Sequence, residues 1–94
     1  MVAVPIAEAT AIAQSRREAM ELARLAGMDE ADRSRVALVA TELGTNLLKH
    51  AGHGELLLGA DPTTDAPCIE ILAVDQGPGM TDVVGCLVDG FSTA

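Results

Sequence analysis

The stretch 41-TELGTNLLKHAGHGEL-56 decides the fold, because it carries the end of a helix, a glycine turn and the start of a strand. Apolar residues recur at helical spacing through its first half and before it, which predicts a helix over residues 30–51. Gly52 and Gly54 end that helix and open a turn. The three leucines that follow predict a strand over residues 55–60. The predicted buried face of the helix consists of Val36, Val39, Ala40, Leu43 and Leu47.

Outward from this stretch, the pattern predicts further elements on both sides. The order is an edge strand at 2–6, helices at 7–26 and 30–51, strands at 55–60 and 68–75, and a short helix at 82–88. Gly27 ends the first helix, and Asp29 is the expected N-cap of the second. We expect the first helix to face the core with Ile12, Ala13, Met20 and Ala23. Two helices on one face of a small mixed sheet make an α+β, two-layer sandwich.

Composition limits what a chain of 94 residues with a net charge of −8 can do. It forms one domain at most, and its charge repels a nucleic-acid backbone. Phe91 is the only aromatic residue, so base-stacking platforms are absent. No signal peptide or membrane-length apolar run is evident. Cys68 and Cys86 could pair, but nothing else indicates a disulfide scaffold, so a reduced, cytoplasmic protein is expected.

Polar residues group on one side of the second predicted helix. At about 100° per residue, Glu42, Asn46 and Lys49 share a narrow arc beside the apolar stripe, and His50 lies nearer the stripe. A carboxylate can act as a base, an amide oxygen can bind Mg²⁺, and a lysine can face phosphate. The alternative is an ordinary solvent-facing helix edge. A zinc site at His50 and His53 is not expected, because no third ligand stands at useful spacing.

A second group follows the strand at 68–75, in the turn 75-DQGPGM-80. Alternation along the strand places Asp75 on the apolar face with Ile69, Ile71 and Ala73. A carboxylate in such a cleft needs a donor, and the adenine amino group is a donor of the right kind. The alternative is a strand-to-loop turn in which the aspartate caps its own backbone.

Together, the two groups resemble the motifs of the GHKL (Bergerat-fold) ATPases. Residues 42–51 look like the N box, and residues 75–80 look like the G1 box. Residues 89–94, which begin Asp-Gly-Phe-Ser-Thr, are similar to the start of the ATP lid in RsbT-like serine kinases. The resemblance implies the Bergerat fold for a single partial domain over 1–94. The family would continue past Ala94 into the lid and the G2 box, so we expect a truncated domain with weak or no ATP turnover.

The resemblance also implies roles for individual residues. Glu42 would be the general base or the carboxylate that orients water, and Asn46 would coordinate Mg²⁺. Lys49 and His50 would contact the phosphates, and Asp75 would bind the adenine amino group. The glycines that would shape the adenine end of the pocket are Gly77 and Gly79.

The implied activity is that of an ATP- and Mg²⁺-dependent serine/threonine protein kinase in a partner-switching, stress-response system. Its substrate would be a STAS-domain anti-anti-sigma or scaffold protein, and a phosphatase or a sigma-factor regulator would be a further partner. No nucleic-acid or membrane partner is expected. The alternative is a non-catalytic anti-sigma or scaffold module that uses nucleotide as a conformational ligand. A sensor kinase domain is the third reading, but no phosphoacceptor histidine helix is evident.

Overall fold

The computed structural model describes residues 2–60, 68–75, 81–88 and 91–92, with backbone alone for Asp75 and the residues after it. Two helices pack on one face of a sheet, so the predicted α+β, two-layer architecture is confirmed. The strands are β1 (Val2–Ile6), β2 (Gly54–Ala60), β3 (Cys68–Asp75), β4 (Thr81–Val88) and β5 (Phe91–Ser92). The helices are α1 (Ala9–Leu25) and α2 (Glu30–Asn46), and a π-helical turn follows α2 at Leu47–Ala51.

The described sheet has the order β1-β2-β3-β4-β5, and each pair of neighbours is antiparallel. It is therefore not the mixed sheet that we expected. The helical hairpin between β1 and β2 contains an even number of segments, so the chain returns in the opposite direction. The later strands follow one another as neighbours, and direct neighbours of this kind pair antiparallel.

The corner between the two helices follows from three consecutive residues. Gly27 has φ +86°, and its N–H donates to the Arg24 carbonyl at 3.1 Å. The N–H of buried Met28 donates to the Ala23 carbonyl at 3.0 Å, which completes a Schellman motif. The Asp29 carboxylate then accepts from the Asp32 N–H at 2.9 Å and caps α2. Both predicted helix signals at this corner are confirmed.

The buried face of α1 differs from the prediction. Ala13 is exposed, and Ile12 and Met20 are only partly buried, while Ala23 is buried as expected. The face consists of Ala11, Ser15, Ala19 and Ala23. Ser15 can be buried because its hydroxyl donates a hydrogen bond to the Ala11 carbonyl at 3.0 Å, which satisfies its polar group. Small side chains let α1 lie close to the sheet.

The core lies between this face, α2 and the inner side of the sheet. On α2, Val36 and Ala40 are buried, as is Leu47 at the start of the π-helical turn. Val39 and Leu43 pack partly buried against them, as predicted. The sheet supplies alternating apolar side chains from its first three strands. These are Val4, Ile6, Leu56, Leu58, Ile69, Ile71 and Ala73.

Residues 82–88 form part of β4, so the predicted short helix there is wrong. The segment TDVVGCLV is rich in β-branched residues, which favour a strand when a neighbouring strand is available. Cys68, buried at the start of β3, is disulfide-bonded, which corrects the expectation of reduced cysteines. The other cysteine of the sequence, Cys86, belongs to β4, the strand beside β3.

Among the described residues, no helix is both long and apolar enough to cross a bilayer.

Candidate functional site

The last turns of α2 carry the first two residues of the candidate site. Glu42 and Asn46 are both exposed, and Asn46 is the final α-helical residue. Residues four apart in an α-helix lie on the same face, one turn above the other. The carboxylate and the amide are therefore neighbours on a surface that a ligand can reach.

The helix does not continue in the α form to residue 51, as the sequence pattern predicted. Leu47–Ala51 is a π-helical turn that carries Lys49 and His50, both exposed. A π turn bonds residue i to residue i+5, so each residue advances by less than the ~100° of an α-helix. Lys49 is therefore shifted from the narrow arc that it would share with Glu42 and Asn46 on a regular helix. Such turns occur frequently at functional sites.

Gly44 holds the motif-bearing part of α2 close to its neighbours. A Cβ atom built on this buried residue would lie 3.3 Å from Ile12 Cγ1 and 3.6 Å from Leu56 Cδ1. The α2 backbone thus approaches both α1 and the sheet, and the glycine leaves room for those two side chains. One face of the helix is packed tightly, while Glu42 and Asn46 remain at the surface.

The second motif begins at Asp75, where the backbone of β3 ends. Asp75 pairs in register with Gly54, the first residue of β2. The π-helical turn packs against both of these strands, so the end of α2 lies over the same end of the sheet. The structure therefore brings Lys49 and His50 to the end of the domain where Asp75 stands. Gly77 and Gly79 lie outside the described residues.

Gly54 has a part in this arrangement that the sequence did not reveal. It was expected to open a turn, but it is a buried residue of β2. A Cβ atom built there would lie 2.5 Å from the Val74 carbonyl oxygen and 2.9 Å from Leu47 Cδ2. The only available signal was a glycine directly before an apolar strand, which is typical of close backbone approach as well as of turns.

Positive charge is scarce in the second half of the sequence. Lys49 is the only lysine of the sequence, and neither lysine nor arginine follows it. The structure places Lys49 in the π-helical turn, which packs against β2 and β3.

A metal site built from protein ligands alone is not found in the part of the chain that the structure describes. His50 lies in the π-helical turn, and Gly52, with φ +81°, separates it from His53. Mg²⁺ keeps several waters and takes substrate phosphates as ligands, so it needs few protein groups. The exposed amide oxygen of Asn46 is compatible with such a partial ligand set.

Four residues of α2 between Ser34 and Thr41 line a different surface. A cleft of about 300 Å³ lies between the helices, on their outer side, and includes Arg16, Met20 and Leu38. None of the candidate site residues lines it. It ends at Thr41, beside Glu42, and extends from there toward the start of α2, away from the π-helical turn.

Comparison with known proteins agrees with this geometry. Residues 6–89 match the family model of the histidine kinase-like ATPase domain. The chain is 30% identical over 83 residues to the serine/threonine-protein kinase RsbT of Bacillus subtilis, which covers 88% of this chain and 62% of that relative. The chain thus spans less than two thirds of that relative's length. No solved structure matches it significantly. On the family match, together with a helix end packed over the end of β3, the chain belongs to the histidine kinase-like ATPase domain family.

Proposed function

We propose that this chain is the ATP-binding part of a serine/threonine protein kinase of a partner-switching system. Its reaction would transfer the γ-phosphoryl group of ATP to a serine or threonine hydroxyl of a STAS-domain protein. The observation that carries the proposal is the placement of Glu42, Asn46 and Lys49 along one helix end that packs over the Asp75 end of β3. The similarity to a relative named as a serine/threonine-protein kinase supports the reaction type.

The proposed roles on α2 follow from chemistry and exposure. The Glu42 carboxylate would accept the proton of the attacking hydroxyl, which needs an acceptor that the partner can reach. Asn46, one turn later on the same face, would bind Mg²⁺ through its amide oxygen. When bound, Mg²⁺ neutralises charge that develops on the phosphates. Positioning and charge neutralisation would thus supply most of the catalysis.

The remaining roles divide between the two ends of the nucleotide. Lys49 and His50, in the π-helical turn, would contact the phosphates. Asp75 would accept a hydrogen bond from the adenine amino group, and Gly77 and Gly79 would let the backbone approach the base. With these roles, the adenine of ATP would lie at the end of β3 and its phosphates at the end of the helix.

The reaction can be tested with the full-length protein, Mg·ATP and candidate STAS-domain proteins, with mass spectrometry to identify the modified residue. We expect phosphate on a serine or threonine of one partner. Glu42→Ala should reduce the rate of this labelling roughly 100-fold, in line with the usual contribution of a general base. Ser34→Ala, an exposed change on α2 away from the site, is the matched control and should retain full labelling. Labelling of a histidine would contradict the proposed reaction type.

The second candidate is a non-catalytic anti-sigma or scaffold module that binds nucleotide as a conformational ligand. The exposed Glu42 favours the enzyme, because a module that only binds nucleotide has no need of a base. The same assay separates the two. Partner binding that depends on Mg·ATP, with no phosphate transferred and no effect of Glu42→Ala, would favour the binding module.

A further inference from the structure

The contact between Gly54 and Leu47 stands where the two halves of the candidate site meet. Leu47 is buried and is the first residue of the π-helical turn, and Gly54 is the residue of β2 that pairs with Asp75. At Gly54, a Cβ atom would lie 2.9 Å and 3.4 Å from the two Leu47 methyl carbons and 2.5 Å from the Val74 carbonyl oxygen. The shortest of these separations are too small for real atoms, so a side chain here forces something to move.

The direction of that movement follows from what surrounds the residue. The Val74 carbonyl belongs to the backbone of β3 and cannot rotate away. The Leu47 side chain is buried in the core, which limits its rotation, and it is attached to the turn above the strand. A methyl group at Gly54 therefore pushes the π-helical turn and the end of β3 apart. Lys49 and His50 move with the turn, and Asp75 stays with β3.

We infer that Gly54 and Leu47 are positioning residues that set the distance between the π-helical turn and the Asp75 end of β3. This inference rests on the proposed function, because that distance is the spacing between the phosphate contacts and the adenine contact. ATP spans both ends and is sensitive to the spacing. Adenosine, which needs only the adenine end, is not.

Two other glycines, Gly52 and Gly44, distinguish this displacement of the turn from the other effects of a side chain at a glycine. Gly52 has φ +81° and no atom within 4 Å of a Cβ built on it, so a side chain there strains the backbone without displacing a neighbour. A Cβ atom at Gly44 would meet only side-chain atoms of Ile12 and Leu56, at 3.3 Å or more. Among these positions, Gly54 alone combines a backbone obstacle with the side chain that anchors the turn.

The test compares dissociation constants for Mg·ATP and for adenosine, with the unfolding free energy measured on the same samples. In Gly54→Ala we expect the Mg·ATP dissociation constant to rise about tenfold and that for adenosine to change by less than about twofold. Gly52→Ala, the strained control, should leave the ratio of the two constants unchanged. An equal loss for both ligands in Gly54→Ala would mean that the residue only supports folding, and would overturn the inference.

A second pair of variants covers a failure of Gly54→Ala to fold. Leu47→Ala removes the side chain that anchors the turn without creating a clash, and it should also weaken Mg·ATP binding more than adenosine binding. Leu47→Met, of similar volume, should retain wild-type binding of both ligands. Val36→Ala, a core change near the start of α2, should lower stability and leave the ligand ratio unchanged. Wild-type protein that binds neither ligand would overturn the proposed function and this inference together. Wild-type binding with unchanged ratios in both Gly54→Ala and Leu47→Ala would overturn the inference alone.

Discussion

Asn46 is the residue on which the proposed metal chemistry depends. It is the last α-helical residue of α2, exposed, and one turn beyond Glu42 on the same face. Its neutral amide suits Mg²⁺ because an oxygen ligand is supplied without adding negative charge to a chain that already carries −8.

Asn46→Ala should therefore weaken Mg·ATP binding by at least about tenfold and leave metal-free adenosine binding unchanged. Stability should stay within about 0.5 kcal/mol, since the side chain is at the surface. Calorimetric titration with and without Mg²⁺ checks the affinity, and denaturant unfolding checks the stability. Retention of the full Mg²⁺ dependence in Asn46→Ala would assign the metal to another group.

Several residue-level predictions could be made from the sequence, and others could not. Gly27 and Asp29 were predictable as helix end and helix cap because their signals are local. Ser15 was not recognised as a core residue, since its burial depends on a hydrogen bond to Ala11 that composition does not reveal. Gly54 was assigned to a turn, because a glycine that permits close approach and one that permits positive φ are indistinguishable in sequence.

At the scale of elements, the caps of the two helices offer a matched comparison. The Asp29 carboxylate accepts a hydrogen bond from Asp32 N–H at 2.9 Å at the start of α2. Glu8, at the same position of α1, makes no side-chain cap. We expect Asp29→Ala to reduce the free energy of unfolding by about 1 kcal/mol and Glu8→Ala to change it by less than about 0.5 kcal/mol. Urea denaturation measures both, and equal losses would show that the cap does not stabilise α2.

The elements predicted wrongly are those that depend on distant partners. Residues 82–88 pair with β3, and this neighbour decides in favour of a strand where the local pattern allowed a helix. Residues 47–51 also have a sequence pattern typical of a regular α-helix, so the local pattern did not predict their π form. By contrast, α1, α2 and β3 carry long periodic patterns, and the predicted bounds of α1 and β3 agree with the structure within two residues.

At the scale of the whole molecule, the fold brings the end of α2 and the Asp75 end of β3, which are distant in sequence, to one end of the domain. The helical hairpin carries α2 back over the sheet, and the pairing of β2 with β3 places Asp75 beside Gly54, just after the helix end. We therefore expect Mg·ATP to bind at this shared end. The outer cleft between α1 and α2 extends from Thr41 toward the start of α2 and should remain free of nucleotide.

The most direct test of this claim is a titration of the ¹⁵N-labelled chain with millimolar Mg·ATP, followed by backbone amide chemical shifts. We expect the largest changes within residues 42–54 and at Asp75, while Arg16, Met20 and Ser34 of the outer cleft change little. Asn46→Ala should reduce the changes within residues 42–54. The largest changes at the outer cleft, or no changes at saturating nucleotide, would contradict nucleotide binding at the shared end.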